Sequence, residues 1–452
     1  MIPPKPPSRD AGRASLWRYL RLFRADNLSA HPARLFGAKM AAFRTPFFRS
    51  FLINDAPLID LVLKQRPEDF PKSRRFVEGL APLLGRSVFL TNGAEWRRQR
   101  RIIDPAFEGG RLRQSFPAIL AAAEAAVARL PPGRVEIEAE ASHAAADAIF
   151  RTLFSMPIET AEARRVFAAF QAHQKSQPMI NLAGLVPLPR WLPRFRSRAT
   201  LATAREIRAL IAAMVRRRQW EIDAGTAPAD LATKIMTTPD PETRECFGPD
   251  EMADQVAIFF LAGHETSASA LAWGLWLLAA FPEAQERVAA EASALGKTPA
   301  FPELSKLSFT RDVFRETMRL YPPVPMFLRE AARPERFRDR AVPKGSQIVL
   351  SPWHLHRHTG RWAEPDAFDP GRWQREATRA ARAEAYLPFS AGPRACPGAG
   401  FAMAEGVLML ARYARAFRFA LPADAPEPMP VAHLTLRSRN GLWLEAMPRR
   451  PE

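Results

Sequence analysis

Through most of this chain apolar residues return every three or four positions, the spacing that puts them on one face of a helix. Only short stretches read as strands. The longest apolar run, "QVAIFFLAGHETSASALAWGLWLLAAF" at 255–281, lies in a helix predicted over 249–281, with Pro249 suited to its first turn. It is long enough to span a bilayer, but His264 and Glu265 fall inside it, so a helix buried in a large core fits better. The Ala- and Arg-rich stretches 118–129 and 199–222 predict further helices. So does "SFTRDVFRETMRLYPP", helical over 308–320 and stopped by Pro322 and Pro323. "DAPLIDLVLKQRPEDF" predicts a short helix capped by Asp55 and ended before Pro67. "FFRSFLI" at 47–53 and "SQIVLSP" read as strands, and "HLTLRSRNGLWLEAM" as a hairpin turning at Asn440-Gly441. The fold class is therefore mainly α, with a few short strands in the first and last thirds. No linker divides it, and a single domain over 35–452 is expected behind a Pro-rich extension, 1–34.

Composition narrows this picture. With 47% hydrophobic residues the chain can bury a substantial core, and its 43 prolines, about twice the usual share, imply many loops. The two cysteines exclude a disulfide framework and a cysteine-only zinc site, and they favour a reducing, cytoplasmic setting. The N-terminus "MIPPKPPSRDAGR" has no apolar core, hence no secretory signal and no transmembrane anchor; peripheral membrane contact stays open. The formal charge of +18 is spread along the chain, and no common nucleic-acid module accompanies it. A solvated basic surface, or one that meets an acidic protein, is the expectation.

Chemistry gathers at "FSAGPRACPG", 389–398. A lone cysteine is usually buried and inert. Here Cys396 stands between Gly392 and Gly398, placed for tight turns whose N–H groups could stabilise a thiolate. A thiolate can ligate haem iron and push electron density toward O–O cleavage. Arg394 could meet a haem propionate. Cys246, in a polar Pro-rich loop, is a bystander. Glu316 and Arg319 share one helical face, a spacing that elsewhere marks an ordinary surface ion pair. "AGHETS", 262–267, puts Gly263 and Glu265 inside the apolar helix, where both are disfavoured. "WRRQRR", 96–101, reads as a basic helix. His354, His356 and His358 alternate; on a strand they would face one way as a metal site, but exposed histidines at a strand end are the better reading.

Phe389, Gly392, Arg394, Cys396 and Gly398 fill the haem-binding signature of the cytochrome P-450 family, and the chain resembles that family over about 35–447. The resemblance implies the cytochrome P-450 fold, a large helical lobe with a smaller strand-containing lobe, and haem b as cofactor. It implies Cys396 as axial ligand of the iron. It makes Glu316 and Arg319 a structural pair locked to Arg372 of "FDPGRW", where Trp373 replaces the frequent phenylalanine. Trp96, Arg100 and, less closely matched, Arg329 correspond to propionate partners, leaving Arg97, Arg98 and Arg101 toward solvent. In the oxygen-activation segment it implies that Gly263 leaves room for dioxygen, that Thr266 donates to its distal oxygen, and that Glu265, turned toward solvent, relays protons.

The implied activity is that of a soluble, bacterial-type monooxygenase inserting one oxygen atom of O2 into an apolar substrate. No reductase domain follows the cysteine loop, so electrons are expected from an acidic ferredoxin or flavodoxin. The resemblance places the pocket wall at 76–90, "MINLAGLVPLP", Ala262 and "VPMF", with Phe76, Val77, Leu80, Phe89, Val324, Met326 and Phe327 as its apolar members. Lipid, terpenoid, steroid or aromatic substrates all fit. Two alternatives stay open: a peroxide-driven hydroxylase or non-oxygenating isomerase or dehydratase on the same fold, and a non-catalytic haem sensor.

Overall fold

The computed structural model describes residues 1–9, 21–22, 26, 28–44, 48–108, 110–176, 197–432 and 434–449. Its longer helices are α1 Arg74–Leu84, α2 Gly93–Ile103, α3 Arg111–Arg129, α4 Ile137–Phe154, α5 Ala161–Ser176, α6 Arg198–Asp223, α7 Pro249–Ala280, α8 Pro282–Ser293, α9 Ser308–Leu320 and α10 Ala399–Ala416. The strands are β1 Met40–Arg44, β2 Arg49–Ile53, β3 Gly133–Glu136, β4 Phe327–Glu330, β5 Glu335–Phe337, β6 Arg340–Val342, β7 Gln347–Leu350, β8 Phe417–Ala420, β9 Pro430–Ala432, β10 Leu436–Ser438 and β11 Trp443–Pro448. The predicted helices at 199–222, 249–281 and 308–320 appear within a residue or so as α6, α7 and α9, because each has strong periodicity and a proline or charge change at its ends. The helix predicted at 118–129 begins earlier, at Arg111, and takes in Pro117.

α7 organises the molecule. Its first half, Met252 to Leu261, belongs to an apolar core shared with α2, α4, α5 and α6. Its second half, Ala270 to Ala279, belongs to another core, shared with α3, α8, α9 and α10. The polar segment 262–267 falls in the seam between the two, where a glycine and an acid do not break up a packed core. A third core lies under the sheet ordered β1-β2-β7-β4, in which only β2 and β7 run parallel.

Three expectations fail for tertiary reasons. The turn at Asn440-Gly441 is present, but β10 pairs with β9 and β11 with β3 and β8, so the flanking strands enter different sheets and form no hairpin. Asp55 stands at the N-cap position of a short helix, Ala56–Asp60, without a side-chain capping bond, and its carboxylate faces Arg338 at 3.4 Å instead. The three alternating histidines lie on and just after a short helix, Pro352–Leu355, and all are buried. Each is held by the protein: His354 with Ser351 Oγ, His356 between Met318 O and Leu387 N–H, and His358 through Nδ1 with Gly360 N–H, its Nε2 buried without a partner among the described residues. Among the described residues no cluster of histidine, cysteine and acidic side chains could hold a metal ion. No helix of the described residues is long and apolar enough to cross a membrane. Residues of the N-terminal stretch 1–9 lie against the body, with Tyr321 Oη donating to Pro4 O at 2.9 Å.

Candidate functional site

Cys396 sits in the loop that leads into α10. Its N–H donates to Phe389 O at 3.0 Å, closing the loop on itself. The sulfur is accessible, yet enclosure by protein pushes its thiol up, opposed by the Gly398 N–H and by Arg100. Gly392 has φ +70°, and a Cβ there would overlap the Leu63 carbonyl oxygen, so this position requires glycine. Gly398 does not share that requirement. Its φ of −85° is ordinary, it precedes α10, and a Cβ would meet Phe107 and the Cys396 sulfur only at 3.9 and 4.0 Å.

On one side of the cysteine loop, cations converge. The Arg394 guanidinium lies 4.4 Å from the centre of the buried Trp96 ring, and Arg100 stands 6.0 Å from the same ring. Arg100 donates to Ala395 O at 2.8 Å and pairs with Asp104. Arg394 donates to Asn92 Oδ1 at 3.0 Å, while its Nε and Nη2 are buried and make no hydrogen bond within the protein. Arg329, buried at the middle of β4, is lowered to about 10 by burial and by Arg394. Lys72, which the sequence reading missed, donates to Val88 O at 2.5 Å, and burial together with Arg394, Arg329 and Arg100 holds its amine well below the usual lysine range. Among the described residues no carboxylate acts on Lys72 or Arg329. Buried like charges with unpaired donors fit a ligand that brings its own anions, as the two propionates of haem do. Its neighbours in "FPKSRRF" gave no sign that Lys72 rather than the arginines would point inward.

α7 carries the second group of candidate residues. Ala262 is exposed although α7 is buried nearly throughout, and Thr266 lies one turn on, along the same face. The Thr266 hydroxyl donates to Ala262 O at 2.5 Å, which leaves its oxygen lone pairs able to accept. Gly263 points elsewhere: a Cβ there would come within 2.8 Å of Ile149, so this glycine permits the close crossing of α7 with α4. Glu265 is not turned to solvent. It is buried, accepting from Gln174 Nε2 of α5 at 2.5 Å and from Thr435 Oγ1 at 3.1 Å, and desolvation raises its carboxyl. His264 is buried against Ser142 and lowered to about 3 by burial, so it is neutral.

The Glu316 network is fully buried. Arg319 Nε and Nη2 donate to the two Glu316 oxygens at 2.9 and 2.8 Å, and Arg372 Nε donates at 2.9 Å. The Asp369 N–H and the Trp373 indole N–H complete the set at 3.0 and 3.2 Å. The remaining guanidinium donors reach carbonyls of Ala363, Glu364, Pro365, Ala367 and His356. Trp373 thus adds a donor that phenylalanine would lack. The basic helix α2 is less free than expected: Arg97 is exposed beside Glu68, but Arg98 pairs with Glu251 and Arg101 with Asp240.

Of the apolar wall, Phe76 and Phe89 meet edge to face at 5.5 Å. Val77, Leu80, Val324, Met326 and Phe327 are half-buried, and Arg329 stands over the Phe327 ring at 5.4 Å. "MINLAGLVPLP" lies outside the described residues.

The chain is similar to cyclooctat-9-en-7-ol 5-monooxygenase of Streptomyces melanosporofaciens, 33% identical over 89% of this chain and 86% of that protein. It is also similar to human cytochrome P450 4A11, 30% identical over 83% and 75%. Among solved structures the cytochrome P450DA heme domain matches with a TM-score of 0.81 and 25% identity, covering 100% of this chain and 98% of that one. The fold is thus that of haem-dependent monooxygenases, and with the sequence pattern described as Cytochrome P450 matching residues 40–444, the chain belongs to that family.

Proposed function

We propose that this monooxygenase acts on a fused-ring terpenoid, with Cys396 as the thiolate ligand of the haem iron and a separate acidic ferredoxin or flavodoxin as electron donor. The observation that carries the substrate class is the apolar character of the residues that the resemblance assigns to the pocket, with Ala262 exposed on α7 and Phe76, Val77, Leu80, Val324 and Met326 half-buried. The bacterial relative is named for cyclooctat-9-en-7-ol, a cyclic alcohol, and that name supports a cyclic substrate here. A rigid ring system loses little conformational entropy in such a pocket, and apolar burial supplies its affinity.

Haem, when bound, supplies the reductive activation of dioxygen. The protein does the rest. Lys72, Arg100, Arg329 and Arg394 would hold the propionates and so fix the ring plane. Thr266, its proton committed to Ala262 O, accepts a hydrogen bond from the site and orients the proton that arrives there. Glu265 is a carboxyl raised by burial, able to hold a proton one residue away on a different helical face. Retention of this acid and alcohol favours oxygen activation over the peroxide-driven and non-oxygenating alternatives.

Spectral titration of the ferric enzyme tests the substrate class, with a fused-ring diterpene alcohol, a steroid, a twelve-carbon fatty acid and a simple aromatic as probes. The diterpene alcohol should give the largest shift at the lowest concentration. A shift confined to the fatty acid, or to none but the aromatic, would defeat the proposal. For the partner, reduction by an acidic ferredoxin should slow steeply as salt rises, since steering acts within a Debye length of about 8–10 Å. Reduction that ignores salt would remove the electrostatic argument.

A further inference from the structure

Glu405 is a buried acid that the site described above leaves unused. It is the seventh residue of α10, the helix that begins three residues after Cys396. Its side chain is 2% exposed. Ser267 Oγ, on α7, donates to Glu405 Oε2 at 2.7 Å, and Oε1 makes no hydrogen bond within the protein. Ser267 directly follows Thr266. The bond therefore joins the helix that leaves the cysteine loop to the turn that carries the oxygen-side hydroxyl.

Among the described residues no charge compensates this carboxyl. On α9, Glu316 and Arg319 are taken up by each other and by Arg372. On α3, Glu124 pairs with Arg412 of α10, and Arg129 with Glu140. On α8, Glu286 pairs with Arg449, with Arg418 of β8 farther off. Arg415 of α10 turns to Leu295 O. On α7, Glu265 and His264 face Gln174, Thr435 and Ser142. Burial alone pushes Glu405 up, to about 8, with Ser267 pulling the other way. At neutral pH it is an uncharged acid.

We propose that Glu405 and Ser267 form a tie across the α7–α10 contact that positions the Thr266 turn for oxygen activation. Glu405 is a positioning residue in this role. Ionised, it would carry a charge in apolar packing that only water could relieve, and admitting water there parts the two helices. The tie is thus made below the pH at which Glu405 ionises and lost above it, whatever the substrate.

The test uses the haem-loaded enzyme, its Glu405→Gln and its Ser267→Ala variants, between pH 6 and 9. Glutamine keeps the acceptor for Ser267 and cannot ionise. The first readout is the rate of hydrogen peroxide release during NADPH oxidation through a surrogate plant-type ferredoxin and its reductase. The parent should release peroxide slowly up to neutral pH and several-fold faster above about pH 8. Glu405→Gln should stay at the low rate throughout, and Ser267→Ala should be several-fold high throughout. The second readout is unfolding by urea over the same range. The unfolded carboxyl ionises near its ordinary 4.5 while the folded one keeps its proton to about 8. Stability from this group is therefore full below 4.5 and lost as pH rises through about 8, so the parent's unfolding constant should grow at least tenfold relative to Glu405→Gln between pH 6 and 8. A Glu405→Gln enzyme with the parent's pH profile in both readouts overturns the proposal. So does a Ser267→Ala enzyme that releases peroxide no faster than the parent at pH 7.

Discussion

Glu316→Gln is the sharpest test of what the buried Glu316–Arg319–Arg372 network contributes. The substitution keeps the shape of the side chain and removes its charge. In the parent, Glu316 and Arg319 are 0% exposed and Arg372 is 3% exposed, and Glu316 accepts from both guanidinium groups, from the Asp369 N–H and from the Trp373 indole. Glutamine leaves two buried cations without a counter-anion and turns an NH2 group toward donors that need an acceptor. Removing one partner of a buried ion pair is destabilising by about 3–5 kcal/mol. Unfolding entropy near the melting temperature is about 2.1 cal/mol/K per residue, so a chain of 452 residues loses roughly 1 °C of melting temperature per kcal/mol. The expected fall is then about 3–5 °C. Trp373→Phe removes only one indole bond to a charged acceptor, worth about 1.5–3 kcal/mol, and should lower the melting temperature by about 2 °C. Thermal unfolding followed by circular dichroism measures both, and the carbonyl spectrum of the reduced enzyme reports whether the thiolate site survives. The reasoning fails if Glu316→Gln melts within 1 °C of the parent, or if Trp373→Phe is the more damaging of the two.

Lys72→Met should act in opposite directions on the two forms of the protein. The unfolded amine holds its proton to about pH 10.5, whereas the buried one releases it at lower pH, so this group weakens the apo fold below that range and more so as pH falls. The apoprotein should resist urea better than the parent, by more at pH 6 than at pH 9, while haem transfer to apomyoglobin becomes several-fold faster; slower haem loss would remove Lys72 from the propionate set. Gly392→Ala forces an L-residue to φ +70° at about 1–2 kcal/mol and drives its Cβ into Leu63 O, so haem content after expression should drop several-fold. Thr266→Ala should leave NADPH consumption nearly intact but divert it to hydrogen peroxide, whereas Glu265→Gln should slow turnover itself; indistinguishable effects would mean that the two side chains share one role. Cys396→Ala should abolish the thiolate-type carbonyl spectrum and Cys246→Ala should leave it unchanged.

The long helices were legible in the sequence because their signals are local. The apolar period of α7 and α9, Pro249 at one start and Pro322 at one end each act within a few residues of where they stand. The cysteine loop was legible for the same reason, since its glycines, arginine and thiol sit within ten positions. Strand pairing was not. The Asn440-Gly441 turn is a local event, but whether its flanks pair depends on distant partners, and β3, from residues 133–136, takes the place beside β11.

The site shows the same division. Residue types fixed which side chains had the chemistry: a thiolate former, cations, an alcohol beside an acid. Packing alone decided where they point. Gly263 faces Ile149 because α4 crosses α7 there, and Glu265 is buried because α5 and the Thr435 segment close over it. Lys72 carries no motif, and only the approach of β4 and the cysteine loop brings its amine among three arginines. Periodicity and turn chemistry are set by neighbours in the chain, so sequence carries them. The direction of a side chain, and the charge state that burial imposes on it, are set by neighbours in space, which only the folded chain supplies.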